Sequence, residues 1–275
     1  MNHLIAKTKG RNGQYFKVIS DAEIFLLPDD LVNRITYEAT YKLEDDEWFA
    51  IDNFSAKDYC IDFLTSRFIS TDYNQISTVN YNNIDYLCSY QTDVYCFQKL
   101  SDSQIIRKKY FSLSNTPVLI ENEPIVVINN VPDAIYKKNE DVLFFKKLTT
   151  ISSIFRGIDT LYKEATQLET ETFLQNDFIQ LENEFDASKV KTANRKRIAM
   201  AIDTLNTFSV TDRQSIFGYI KDYCEDLQYD EANSNFNITS EIDLKNLLFG
   251  IEQRYYTTML GGEKRLANSI LVLSQ

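Results

Sequence analysis

Ala134-Ile135-Tyr136-Lys137-Lys138-Asn139-Glu140-Asp141-Val142-Leu143-Phe144-Phe145 runs into Lys146-Lys147-Leu148-Thr149-Thr150-Ile151, and across this stretch the hydrophobic period of the chain changes. Ala134–Tyr136 and Val142–Phe145 are short apolar runs around the polar turn Lys137–Asp141, the pattern of a β-hairpin. From Ile151 onward the apolar residues fall at 151, 154, 155, 158, 161, 162, 165 and 168. That is the three-and-four spacing of one helix face, behind the candidate caps Thr149 and Thr150.

Toward the amino terminus the strand pattern continues. Ile84–Tyr90 and Val94–Leu100 flank Gln91-Thr92-Asp93, a connection of hairpin length. Ile105–Leu113, Val118–Ile120 and Ile125–Ile128 follow, and Gln14–Ile19, Glu23–Leu27 and Trp48–Asp52 precede. One helix is expected among them, capped by Ser55, with Tyr59, Phe63, Leu64 and Phe68 on one face.

Toward the carboxyl terminus the helical period dominates. Helices are expected from near Lys189 to Phe208, over about 212–227, and behind Ser240, whose stripe is Leu244, Leu247, Leu248, Ile251 and Tyr255. Phe236–Thr239 reads as a short strand, and Gly261-Gly262 as a break before a last helix bearing Leu266, Ile270 and Leu271. The fold class expected is α+β. Residues 1–148 form a β-rich N-terminal half with an antiparallel multistranded sheet, and residues 149–275 a helical C-terminal half.

Seventeen tyrosines and eighteen phenylalanines promise an aromatic core, while seven glycines and four prolines leave most turns to Asn, Asp and Ser. The net charge of −11 is spread over both halves. Such a surface repels polyanions unless its basic residues gather locally. Cys60, Cys88, Cys96 and Cys224 have no Cys-x-x-Cys spacing and read as reduced core thiols. No apolar stretch has the length of a secretory leader or of the ~20 residues that span a bilayer, so the chain is expected in the cytoplasm.

Much chemistry lacks its residues. His3 is the only histidine and is expected at a frayed terminus, which leaves histidine-dependent nucleophilic triads without a base and zinc without its usual ligands. Gly10-Arg11-Asn12-Gly13 and Gly261-Gly262-Glu263-Lys264 lack the spacing of phosphate loops and read as turns. A magnesium-dependent nuclease would need an Asp followed by an acidic residue and a Lys on one strand. Pro132-Asp133 resembles the opening element, but Asp141-Val142-Leu143-Phe144-Phe145-Lys146 does not supply the rest, and Glu44-Asp45-Asp46-Glu47 reads as a solvated turn. No metal and no cofactor is expected.

One cluster stands out. Between Ala187 and Ile202 the only ionisable residues are Lys189, Lys191, Arg195, Lys196 and Arg197. With Ser188 as N-cap, Lys189 and Lys191 would occupy the first helical turn, where the helix dipole disfavours cations by roughly 0.3–1 kcal/mol each. That placement is easier to understand if an anion such as a phosphate docks there. The competing reading is a solvated face paired with Glu182, Glu184 and Asp186. Arg107-Lys108-Lys109 and Lys146-Lys147 are weaker candidates, because alternation along a strand splits each run.

Several stretches together carry a family resemblance. Ile125-Val126-Val127-Ile128-Asn129-Asn130-Val131-Pro132-Asp133-Ala134-Ile135, then Val142-Leu143-Phe144-Phe145 and Ile154-Phe155, resemble the core of the KwaB family of the Kiwa antiphage defence system. Val94-Tyr95-Cys96-Phe97-Gln98-Lys99-Leu100 is similar to its strand with a Phe-x-Lys-Leu ending. Leu247-Leu248 through Arg254-Tyr255-Tyr256-Thr257-Thr258-Met259-Leu260 is similar to its C-terminal helix and Tyr-rich segment. The resemblance spans about residues 84–270 and rests on apolar and turn residues. It implies a bacterial antiviral effector that binds double-stranded DNA without a catalytic site. It further implies a homodimer or larger assembly beside a KwaA-like integral membrane protein. The alternatives are an adaptor without nucleic-acid binding and, least favoured, the magnesium nuclease.

Overall fold

The computed structural model describes residues 2–10, 12–106, 109–113, 115–121 and 124–271. They group into two compact units, one of residues 2–38 and 43–159, the other of residues 39–42 and 160–271. Residues 39–42 belong with the second because the Ile270 N–H donates to the Thr40 carbonyl at 3.4 Å and the Lys42 N–H to Ser269 Oγ at 2.8 Å.

The strands of the first unit are, in chain order, β1 (His3–Thr8), β2 (Tyr15–Ser20), β3 (Arg34–Thr36), β4 (Trp48–Asp52), β5 (Ile84–Gln91), β6 (Val94–Lys99), β7 (Ile105–Ile106), β8 (Tyr110–Ser112), β9 (Val118–Ile120), β10 (Ile125–Val126), β11 (Ala134–Lys137) and β12 (Val142–Phe145). Eight of them form one sheet in the order β2-β1-β5-β6-β11-β12-β4-β3. All neighbours run antiparallel except the edge pair β3 and β4, which is parallel. The fold is thus α+β, with a mixed rather than wholly antiparallel sheet. β7 pairs with β10, and β8 with β9, as separate ribbons.

Alternation along the strands sorts the core onto two faces. Trp48, Ala50, Cys96, Ile135, Val142 and Phe144 pack with Phe25 and Leu31 on one. The other is aromatic: Phe97 meets Phe155 edge-on at 5.2 Å, and Phe155 meets Phe54 at 5.1 Å. Burying a side chain of this size contributes about 3 kcal/mol. Thr92 and Asp93 both hold positive φ (50° and 64°) between Gln91 and its partner Val94. They form the two-residue hairpin turn whose twist matches the strands.

Several expectations fail in this unit, and Glu23–Leu27, read as a strand, forms none. His3 is not frayed: it lies buried on β1, an interior strand, with Nδ1 hydrogen-bonded to Ser20 Oγ at 2.9 Å. Ser55 caps no helix, because both its N–H and its hydroxyl donate to the Asp141 carboxylate at 2.8 Å. Ser55 lies inside a single 3-10 turn, Phe54–Ala56, and the α-helix of that region is the short α1 (Asp62–Thr65). The stripe from Ile151 is likewise no single helix. α2 (Leu148–Ile151) is short, and Gly157 at φ +96° turns the chain out of helical geometry. Ile151, Ile154, Phe155 and Ile158 are nonetheless buried, so the spacing reported a covering segment correctly and its conformation wrongly.

The second unit contains α3 (Gln167–Leu174), β13 (Ile179–Leu181), α4 (Thr192–Thr207), α5 (Val210–Tyr223), β14 (Tyr229–Asp230), β15 (Asn235–Ile238), α6 (Glu241–Ile251), β16 (Tyr255–Thr257) and β17 (Lys264–Leu266). Its core joins Ile198, Ala201 and Leu205 of α4, Ile220 of α5 and Leu244, Leu247, Leu248 and Ile251 of α6. Ser240 caps α6 by accepting the Asp243 N–H, as the sequence suggests. The expected last helix is instead the hairpin β16–β17, turned by Gly261 and Gly262 at positive φ. No helix among the described residues is long and apolar enough to cross a membrane.

Candidate nucleic-acid interface

Helix α4 begins at Thr192, three residues later than the cation run suggests, with Lys191 as its N-cap in extended geometry. Ser188 is not the cap. It lies in a preceding single turn, Ala187–Lys189, and donates its N–H and hydroxyl to Asp186 at 2.7 and 2.5 Å. These bonds, that of the hydroxyl first, hold the Asp186 carboxyl below its ordinary range. Lys191 has no side chain able to accept the free N–H groups of the helix start. Glu241, from the first turn of α6, supplies the acceptor. One of its oxygens takes the Lys191 N–H at 2.5 Å, and the other takes the amide of buried Asn194.

The five cations then separate by role. Lys189 donates to the Glu184 carbonyl at 2.6 Å. Arg195 is half-buried and spent internally: Nε reaches the Val190 carbonyl at 3.0 Å, and Nη2 reaches the Ala187 carbonyl at 2.9 Å and Gln167 Oε1 at 2.6 Å. It fastens the turn before α4 to the start of α3. Lys196 lies 4.4 Å over the Tyr162 ring. Arg197 donates to the Ala193 carbonyl at 3.0 Å and lies 4.8 Å over the Phe249 ring. Successive helical positions diverge by about 100°, so Arg195 and Lys196 face the segment 162–170 while Arg197 faces α6. Nor is the run one solvated face: Arg195, Lys196 and Arg197 are all half-buried, and of the five only Lys189 and Lys191 are exposed.

Phe249 adds a residue that the sequence reading missed. Lys245 of α6 lies 5.3 Å from the same ring as Arg197. Arg197 of α4 and Lys245 of α6 thus converge on one aromatic side chain, which Arg254, ion-paired with Glu252, also approaches at 5.0 Å. None of Lys189, Lys191, Arg195, Lys196, Arg197 and Lys245 forms an ion pair with a described carboxylate, whereas Lys163, Lys221, Lys264 and Arg265 of the same unit do. Glu182, Glu184 and Asp186 therefore do not pair with the run through their carboxylates.

The weaker basic runs go elsewhere. Arg107 and Lys108 lie outside the described residues, as does Arg11 of the first glycine turn, and Lys109 pairs with Glu121 at 2.8 Å. Lys146 stacks 4.9 Å over Trp48.

Comparison of the chain with protein-family models, curated proteins and solved structures gives no match.

The carboxylates weighed for a metal have structural roles. Asp133 accepts the Lys99 N–H at 2.7 Å while its own N–H donates to the Phe97 carbonyl, and burial raises its pKa. Asp46 accepts from Asn33, and Glu47 accepts the Glu44 N–H, in an exposed turn. Among the described residues no group of three or more His, Cys, Asp or Glu is placed to hold a metal ion. Burial raises every thiol, Cys60 to about 11 and Cys96 to about 12, which keeps these sulfurs protonated and poorly nucleophilic.

Proposed function

We propose that this chain is a non-catalytic polyanion-binding protein that docks duplex DNA across α4 and α6, as an antiphage effector of the KwaB kind. The observation that carries the reading is the set of six cations without an ion pair in a chain of net charge −11, two of them brought together on Phe249. Cations gathered without carboxylate partners raise the local potential of an otherwise acidic surface and offer an anion a place to dock. The resemblance in residues 84–270 supports the defence context, with a KwaA-like integral membrane partner and self-association that doubles a small basic site.

In this reading the phosphates sit along the flank of α4 rather than at its amino end. Glu241 already occupies the amino end of α4, so the contacts belong to Lys189, Lys191, Lys196, Arg197 and Lys245, and Arg195 positions them. Such contacts position a duplex without reading its bases, and sequence preference is weak. Lys191, Lys196 and Lys245 changed together to Gln should remove binding of a mixed-sequence duplex in a low-salt shift assay. Unchanged binding by a folded variant would refute the site.

A second reading, an adaptor that docks another protein, is favoured by one feature. The β8–β9 ribbon exposes Phe111, Leu113, Val118 and Leu119, an apolar group of the kind that marks interaction surfaces. Absence of DNA binding at low salt would leave this reading in place.

A further inference from the structure

Lys7 is an unusual occupant of its position. It lies on an interior strand, in register with Tyr15 on one side and Tyr86 on the other, and so on the aromatic face of the sheet. It is half-buried and forms no ion pair with a described residue. The carboxylate on hand, Asp85, is taken by Lys99. The Lys7 ammonium is instead held by the Thr8 carbonyl at 3.1 Å and lies 5.5 Å from the Tyr15 ring. Gly13 fixes this placement. A Cβ there would fall 2.4 Å from Lys7 Nζ and 2.0 Å from the Thr8 oxygen, so the β1–β2 turn closes onto the ammonium only because residue 13 has no side chain.

A second cation faces the same space. Arg156, in the turn after α2, has no hydrogen bond or ion pair to any described residue, and with Lys7 it lines a cleft of about 260 Å³. Burial lowers the Lys7 pKa; Asp85 opposes the effect and Arg156 adds to it, as expected of two like charges sharing one cleft. Tyr15 and Tyr86, whose hydroxyls lie 2.8 Å apart, also line it, and burial pushes Tyr15 up to about 12. Both remain neutral at physiological pH, leaving one proton between them to offer outward. Tyr59 supplies an aromatic wall and Asp58 an acceptor, and Asp85, whose charge is offset by its ion pair with Lys99, also lines the cleft.

We propose that this cleft binds a small organic monophosphate, with the phosphate between Lys7 and Arg156 and a hydroxyl or amino group of the ligand donating to Asp58. Two cations and a hydroxyl match the charge and acceptors of a phosphate ester. Asp58 and Asp85 repel a second anionic group and so favour a monophosphate over a ligand with two phosphates. The volume lies below the ~300–1,000 Å³ of sites for drug-sized ligands, which suits a sugar phosphate or mononucleotide. The site lies wholly within the first unit and is independent of the surface on α4 and α6.

The test is thermal denaturation of the intact chain with millimolar adenosine monophosphate, a hexose monophosphate or inorganic phosphate. One of the two esters is expected to raise the melting temperature, because ligand bound to the folded state stabilises it by mass action. Arg156→Gln and Lys7→Gln are each expected to weaken that binding about tenfold or more, the loss of one charge-assisted hydrogen bond. Arg156 is exposed, so its variant keeps the melting temperature of the free protein and stays informative if Lys7→Gln folds poorly. No shift with either ester, a shift with inorganic phosphate alone, or a shift that survives Arg156→Gln would overturn the proposal.

Discussion

The Glu241 carboxylate accepts the backbone N–H of Lys191 at 2.5 Å, so the amino end of α4 is capped by a side chain from α6. The same residue places a negative charge beside the basic run. Glu241→Ala is therefore expected to act in two opposed ways. It should cost about 1–2 kcal/mol of stability, the range for loss of an N-cap, in urea denaturation. It should also tighten duplex DNA binding at low salt. Weaker binding by the folded variant would contradict the arrangement of charge described.

Arg195 and Lys191 should separate in stability measurements, although both are cations of one run. Arg195→Ala deletes a guanidinium bonded to two carbonyls and to Gln167, and should cost roughly 2–3 kcal/mol. Lys191→Gln, exposed, should stay within about 0.5 kcal/mol. Equal effects would count against the anchoring role of Arg195.

Gly250 allows α6 to approach α5. A Cβ there would lie 2.2 Å from Ile220 Cγ1, and both residues belong to tightly packed helices. Gly250→Ala should cost about 1–3 kcal/mol through overpacking. In an Ile220→Ala background the same change should cost less, and a double-mutant cycle that shows simple additivity would exclude this contact as the cause.

His3 gives the fold a pH dependence. Burial is the main cause that holds its imidazole below the ordinary value near 6.5, with Asp21 opposing and Lys17 reinforcing. The unfolded chain therefore binds a proton here before the folded protein does, and stability falls as pH drops from about 6.5 toward the lower folded value. His3→Gln should flatten that decline relative to wild type in denaturation curves taken between about pH 7 and pH 5. Parallel curves would mean that His3 is not the group responsible.

What was legible in the sequence follows from where the information lies. The hairpin Ala134–Phe145 and the capped α6 are local patterns: period-two runs around a polar turn, and Ser240 with Asp243. β1 was missed because Leu4-Ile5-Ala6, buried on both faces, has no alternation to read and is cut short by Lys7. The stripe from Ile151 located a buried segment, but a 3.6-residue spacing also fits successive turns, and only the positive φ of Gly157 tells them apart. At the candidate site the acid-free run was visible. Its start was misplaced because the cap comes from Glu241, and Lys245 was invisible because only tertiary packing brings it to Phe249 beside Arg197.

The most direct test is the salt dependence of duplex DNA binding by wild type and by the variant with Lys191, Lys196 and Lys245 all changed to Gln. Each phosphate contact releases counterions and contributes about −0.9 to the slope of log affinity against log salt. Three to five contacts per chain predict a wild-type slope of about −2.7 to −4.5, indifferent to base sequence. The variant, folded and of near wild-type stability, should bind too weakly for a slope to be drawn. A variant that binds with the wild-type affinity and slope would place the DNA elsewhere, and a wild type that binds no duplex at low salt would contradict the account.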